Sequence, residues 1–151
     1  MTRREPAFLP LAVSAARAAA NVSAAPAQLG QAQALRQRAE AADEAAANCW
    51  TALLAGCDAP ALRVLMFRLH DLTEATSAYV GGQCWFGANS PHRPRVTEAE
   101  ARATQAIRDG DGEDFVEALV DYDQAVATAV ASVRARTTFG TPDEPSRINS
   151  A

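Results

Sequence analysis

Apolar positions along this chain recur at steps of three and four residues, the spacing that lines side chains along one side of an α-helix. From Gln31 to about Leu54 the set is Leu35, Ala39, Ala42, Ala46, Cys49 and Leu53, with Arg36, Glu40 and Asp43 placed off the stripe. A second set follows in Leu62, Leu65, Met66, Leu69, Leu72, Thr76 and Tyr79, with Arg63, Arg68, Asp71 and Glu74 on the polar faces. Between them, Gly56-Cys57-Asp58-Ala59-Pro60 joins a stop to a start. Glycine suits the C-terminal turn of one helix, Asp58 caps the next, and proline is tolerated in a first turn. Gly81-Gly82 ends or kinks the second helix.

Gly87 to Arg95, with Asn89, Pro91 and Pro94, reads as a loop. Thr97-Glu98-Ala99-Glu100 then fits a capping box, in which the threonine side chain serves a free backbone donor and Glu100 reaches back to the cap. The helix that follows extends to about Arg108, and Asp109-Gly110-Asp111-Gly112 makes a tight turn. A last long helix to about Arg134 carries Phe115, Val116, Leu119, Val120, Val126, Val130 and Val133 on its apolar side. No alternating strand pattern is sustained and no repeat emerges. The expected fold is all-α, an antiparallel helical bundle of four or more long helices over residues 27–136. An alanine-rich arm or short helix at 1–26 precedes it, and a proline-rich, flexible tail at 137–151 follows.

Composition refines this picture. The chain has 151 residues, of which 48% are hydrophobic but only 6% aromatic, so closely packed helices with small core side chains are expected. All 14 basic residues are arginines, and the net charge is −4, which argues against gripping nucleic acid directly. No stretch approaches the ~20 apolar residues of a membrane span. Thr2-Arg3-Arg4 before Phe8-Leu9 is a poor match to a twin-arginine export signal, because Glu5-Pro6-Ala7 and Arg17 interrupt it. Cys49, Cys57 and Cys84 form no C-x-x-C pair and are read as buried, reduced thiols of a cytoplasmic protein.

Two stretches in order resemble the ligand-binding C-terminal (FCD-like) domain of FadR-type transcription regulators of the GntR family. Trp50 to Leu62, with its apolar run, Gly56-Cys57-Asp58-Ala59-Pro60 turn and leucine-rich continuation, is similar to that family's helix end and turn. Glu100 to Phe115, continuing to Tyr122, is similar to its later helix, glycine-aspartate turn and final helix. The resemblance covers about residues 31 to 134. It implies an effector-sensing core that binds a small acidic or acyl metabolite between its helices and pairs with itself or a partner. The winged helix that reads DNA in those regulators has no counterpart here. Where many members hold a metal, this chain carries Ala46, Trp50, Glu100 and Tyr122, with no histidine among them, so neither a metal nor another cofactor is expected.

The residues singled out for a ligand site are Trp50, His70, Glu100, Tyr122 and Asp123. Asp123 shares a stripe with Leu119, Val120, Val126 and Val130, and a carboxylate on an apolar face needs water or a partner. His70, beside Asp71, permits a proton-sensitive contact but is equally at home as a packing residue. Glu100 is either the capping-box acid or an inward-facing group. Trp50 and Trp85 are packing residues or cavity walls. Arg93 and Arg95 make a small basic patch open to an anion or a partner. No phosphate loop, nucleophile elbow, H-E-x-x-H or paired histidines appear, so no catalysis is expected. The reading is a non-catalytic sensor domain; its alternative is a structural or protein-interaction helical bundle without a small-molecule ligand.

Overall fold

In the computed structural model, residues 6–23, 25–55 and 59–139 are described. They form six helices: α1 Pro10–Val22, α2 Pro26–Ala55, α3 Ala59–Val80, α4 Gly82–Phe86, α5 His92–Asp109 and α6 Gly112–Phe139. No strand occurs among the described residues. The turn at Gly56-Cys57-Asp58, and with it the expected Asp58 cap, lies outside the described residues, as does the tail from 140 onward.

The stripes read from spacing become the core. Leu35, Ala39, Ala42, Ala46 and Cys49 of α2 are buried, as are Leu65, Leu69, Leu72 and Tyr79 of α3. They join one cluster with Val96, Ala103 and Ile107 of α5 and Phe115, Leu119, Tyr122, Val126 and Val130 of α6. Alanine at so many of these positions lets helix axes approach closely. α2 packs on α3, α5 on α6, and α3 on both α5 and α6.

α1 lies between α2 and α6, which touch each other only lightly. Its Ala12, Val13, Ala16 and Ala19, with Leu9 just before it, belong to the same core. Burying Leu9 and Val13 alone stabilises the fold by ~1.5–3 kcal/mol each. The segment left open as an arm or a short helix is therefore a helix that fills the seam between two long ones.

Three boundaries illustrate how local chemistry sets these elements. Gly81 has φ +99° and ends α3, and Gly110 has φ +69° and ends α5; both conformations are strained for residues with a Cβ. Asp111 starts α6 by accepting a hydrogen bond from the Asp114 amide at 3.1 Å. α5 begins earlier than its capping-box pattern implies. His92 opens the helix, so Thr97 sits inside it and donates to the Arg93 carbonyl at 2.8 Å. The prolines read as loop residues occupy the N-cap and first turn, where the missing amide costs nothing. The capping-box role of Glu100 is thus overturned, because its threonine is not at a helix start.

Two packing expectations also change. Val116 and Val120, placed on the apolar side of α6, are exposed. Cys84 is exposed as well, whereas Cys49 is buried and its thiol is pushed up to about 11 by loss of hydration. Cys57 lies outside the described residues.

Candidate functional site

The five residues picked from the sequence fall in three places. Trp50, half-buried on α2, stacks on Phe115 of α6 with ring centroids 6.1 Å apart and planes 9° from parallel. Phe8 tilts against both rings at 6.2 Å. This aromatic trio pins the segment before α1 to α2 and α6, a packing role.

His70, Glu100 and Tyr122 meet where α3, α5 and α6 adjoin. The exposed His70 ring faces Glu100 at 3.3 Å through Nδ1 and Glu74 at 3.7 Å through Nε2. Tyr122 is fully buried; its hydroxyl donates to the Leu69 carbonyl at 2.8 Å and shares a 2.8 Å hydrogen bond with Thr73 Oγ1. Burial, opposed by the Thr73 hydrogen bond and reinforced by the nearby Glu100 charge, pushes this phenol far above its usual range. Tyr122 is a polar strut between α3 and α6, with its hydrogen-bonding capacity spent on the protein itself.

Asp123 turns the other way, toward α1. It is 4% exposed, and its carboxylate accepts from the Ala12 amide at 2.7 Å and the Leu11 amide at 3.0 Å. Asp43 of α2, 3% exposed, accepts from the amides of Ala7, Phe8 and Leu9 at 2.8–3.3 Å. A helix start carries free N–H groups and a partial positive charge. No side chain of α1 caps it. Two carboxylates from neighbouring helices do so instead. This explains a charge at an otherwise apolar position: the partner that Asp123 needs there is the pair of backbone amides of Leu11 and Ala12. Its carboxyl is raised above the ordinary aspartate range, chiefly by burial, against the pull of the two backbone donors and with a smaller push from the Asp43 charge.

Asp43 was missed as a buried residue, although a signal was present. It lies four residues after Ala39 and three before Ala46, both fully buried, so it shares their side of α2. A lone aspartate there foretells an internal donor.

Neither of two shallow surface clefts gathers the five residues. One, of about 260 Å³ between α5 and α6, is lined by Arg95, Glu98, Arg102, Asp121 and Gln124. Its charges largely satisfy one another, with Arg102 donating to Asp121 at 2.7 Å and Asp114 at 3.2 Å. The other, of about 390 Å³, runs between α1 and α6. Its walls are Leu11, Ser14, Ala15 and Ala18 on one side and Gln124, Ala127, Thr128 and Ala131 on the other, with Arg95 at the rim.

The facing walls of this second cleft are uncharged, with the exposed charges of Arg95, Glu117 and Asp121 flanking it. Val22 extends it along α1, and Val116 and Val120 extend it along α6 by the same four-residue step; all three are exposed. The one charged residue of α1, Arg17, turns instead to α2 and pairs with Glu40 at 2.8 Å. The one acid between Tyr122 and Val133 of α6 is the buried Asp123. Two exposed rings elsewhere lie under arginines, Phe67 under Arg68 and Phe86 under Arg93. Among the described residues, no three His, Cys, Asp or Glu side chains converge as metal ligands. No described helix is long and apolar enough to cross a membrane.

No family model, curated protein or solved structure matches the chain.

Proposed function

We propose that this chain is a non-catalytic, antiparallel helical bundle that works by docking an apolar helical surface of another polypeptide on the face made by α1 and α6. The observation that carries this reading is the uncharged wall-to-wall surface of the cleft between α1 and α6, from Leu11, Ser14, Ala15 and Ala18 to Gln124, Ala127, Thr128 and Ala131, with exposed Val22, Val116 and Val120 on the same two helices and with Arg95, Glu117 and Asp121 flanking it. Exposed apolar side chains beside an uncharged cleft with a polar edge mark an interaction site. The exposed free thiol of Cys84 fits a reducing, cytoplasmic setting.

The rival sensor reading, drawn from the resemblance to FadR-type effector domains, draws less support. It needs Trp50, His70, Glu100, Tyr122 and Asp123 around one ligand. Trp50 is engaged by aromatic rings, Tyr122 by α3 and Asp123 by α1. Only His70 and Glu100 keep open valences at the surface.

The test places a photo-cross-linking residue at position 120 in the producing cell, with position 108 on the charged side as control. Specific adducts at 120 that disappear when Ala131 is replaced by glutamate support docking on this face. Equal labelling at both positions, or none at either, refutes it.

A further inference from the structure

The charges that edge the α1–α6 cleft are not equivalent. Glu117 and Asp121 both face Arg102, at 3.9 and 2.7 Å, so their charge is largely answered within the protein. Arg95, which lines the cleft, has no ion-pair partner among the described residues. Arginines on other sides of the molecule differ: Arg17 pairs with Glu40 and Arg38 with Asp71, each at 2.8 Å.

The distribution of acids along the chain explains why Arg95 is left unanswered. None occurs in residues 75–97 or 124–139, so the end of α3, all of α4, the start of α5 and the C-terminal half of α6 lack them. Three arginines and a histidine gather there. Arg93 lies 5.6 Å from the centroid of the Phe86 ring, and Arg136 donates to the Val80 carbonyl at 3.2 Å, so both have neutral neighbours in place of an acid. His92 is half-buried near Arg95 and Arg136; loss of hydration first, then the positive charges of Arg136 and Arg95, lower its pKa. A neutral imidazole leaves the guanidinium groups as the charges of this end. On a chain of net charge −4, it is a local field that favours anions.

We infer that the polypeptide docked in the α1–α6 cleft is acidic: carboxylates along the border of its apolar stripe that faces α5 pair with Arg95 and, beyond it, with Arg93 and Arg136. This rests on the docking reading above and names the chemistry of the partner. Arg95 belongs both to the cleft and to the acid-free end, so a helix lying in the cleft meets it along one border. Arg136 follows about two turns past Thr128. A guanidinium matches a carboxylate through two parallel hydrogen bonds. A few side-chain acids suit so short a patch better than a nucleic acid, because a long phosphate backbone runs on to the acids of α6 at Asp114, Glu117 and Asp121. Apolar contact in the cleft then supplies affinity, and charge selects the partner.

Fluorescence anisotropy of two synthetic helical peptides, titrated with the purified full chain, tests this. Both peptides have the same stripe of leucine and alanine; one carries glutamates along a border of the stripe and the other carries lysines. The glutamate peptide is expected to bind at least ~10-fold tighter, an advantage that added salt erodes. Arg95→Gln with Arg136→Gln removes the advantage, Arg95→Gln alone reduces it, and Arg63→Gln, on an exposed part of α3, leaves it unchanged. The single Arg95 change decides the matter if loss of the Arg136 contact to Val80 lowers the Tm of the double variant. Ala131→Glu in the cleft wall weakens both peptides. Equal binding of the two peptides, tighter binding of the lysine peptide, or an advantage that survives the arginine changes overturns the acidic partner and leaves the docking reading standing. A glutamate preference that Ala131→Glu does not touch, or binding of neither peptide, overturns both. An oligonucleotide of equal charge that displaces the glutamate peptide more strongly than the same peptide unlabelled overturns the acidic polypeptide in favour of nucleic acid.

Discussion

Asp43 and Asp123 show how a carboxylate with no charged partner among the described residues is held inside an apolar core. Each has backbone amides as partners, and five N–H groups of residues 7–12 end on these two side chains. Replacing Asp43 by alanine strands three donors and is expected to lower the unfolding free energy by about 3 kcal/mol; Asp123→Ala strands two and costs about 2 kcal/mol. Denaturant titration measures both, and a loss below about half a kcal/mol would mean that water replaces the caps. The raised carboxyl of Asp123 also fixes a pH dependence. An acid whose folded pKa exceeds its unfolded value binds more protons in the folded state between the two. Its contribution to stability is smallest at neutral pH and grows as pH falls through the folded value toward the unfolded one. Asp123→Asn has no such proton. Wild type therefore gains on this variant as the pH falls from 7 toward 4, and a constant difference across that range contradicts the assignment. At the thiols, Cys84→Ser removes a fast reaction with a thiol reagent under native conditions, whereas Cys49→Ser leaves that phase intact, because burial keeps Cys49 protonated and covered.

At the level of elements, α1 is the helix whose packing matters most for its length. Its 13 residues separate α2 from α6 and contribute four buried side chains. Deleting residues 1–23 uncovers that seam and leaves Asp43 and Asp123 without donors. The expected outcome is a chain with much of its helix content but with a broad, low-temperature unfolding transition, read by circular dichroism and calorimetry. A sharp transition at the original Tm would show that α1 is dispensable. The turn between α5 and α6 makes a smaller, local prediction. Gly110 sits at φ +69° with open space around it, so Gly110→Ala costs about 1 kcal/mol from backbone strain alone, measurable by denaturant titration. The α5 start shows where element-level reading failed. Thr97-Glu98-Ala99-Glu100 has the capping pattern, but His92 to Val96 also accept helical geometry, and the burial of Val96 against the core extends the helix backward. Pattern locates a competent start; packing decides whether it is used.

For the molecule as a whole, a core of alanine and leucine with its polar groups internally satisfied fits a protein whose activity is on its surface. Thermal unfolding against carboxylates, acyl compounds and divalent metals is accordingly expected to be flat. A shift of several degrees that His70→Ala removes would favour the sensor reading, since a ligand at 100 times its Kd adds ~2.7 kcal/mol. Helices, core stripes and most turns were legible in the sequence because they depend on local rules. A 3.6-residue period, a glycine after the last turn and an aspartate before the first act within a few neighbours. The fate of individual faces was not, because a stripe states that a side chain is apolar without stating which helix covers it. Val116 and Val120 continue the stripe of α6, yet α1 covers only the part of that helix beyond them. Asp43 and Asp123 lie on core stripes, but their partners are 34 to 112 residues away along the chain, in amides that only the docking of α1 presents. The sequence alone determined that this chain is helical and where α3 and α5 end; the tertiary structure decided where α5 begins, which carboxylates are buried, which valines are not, and where the cleft between α1 and α6 lies, because burial depends on neighbours that no local pattern names.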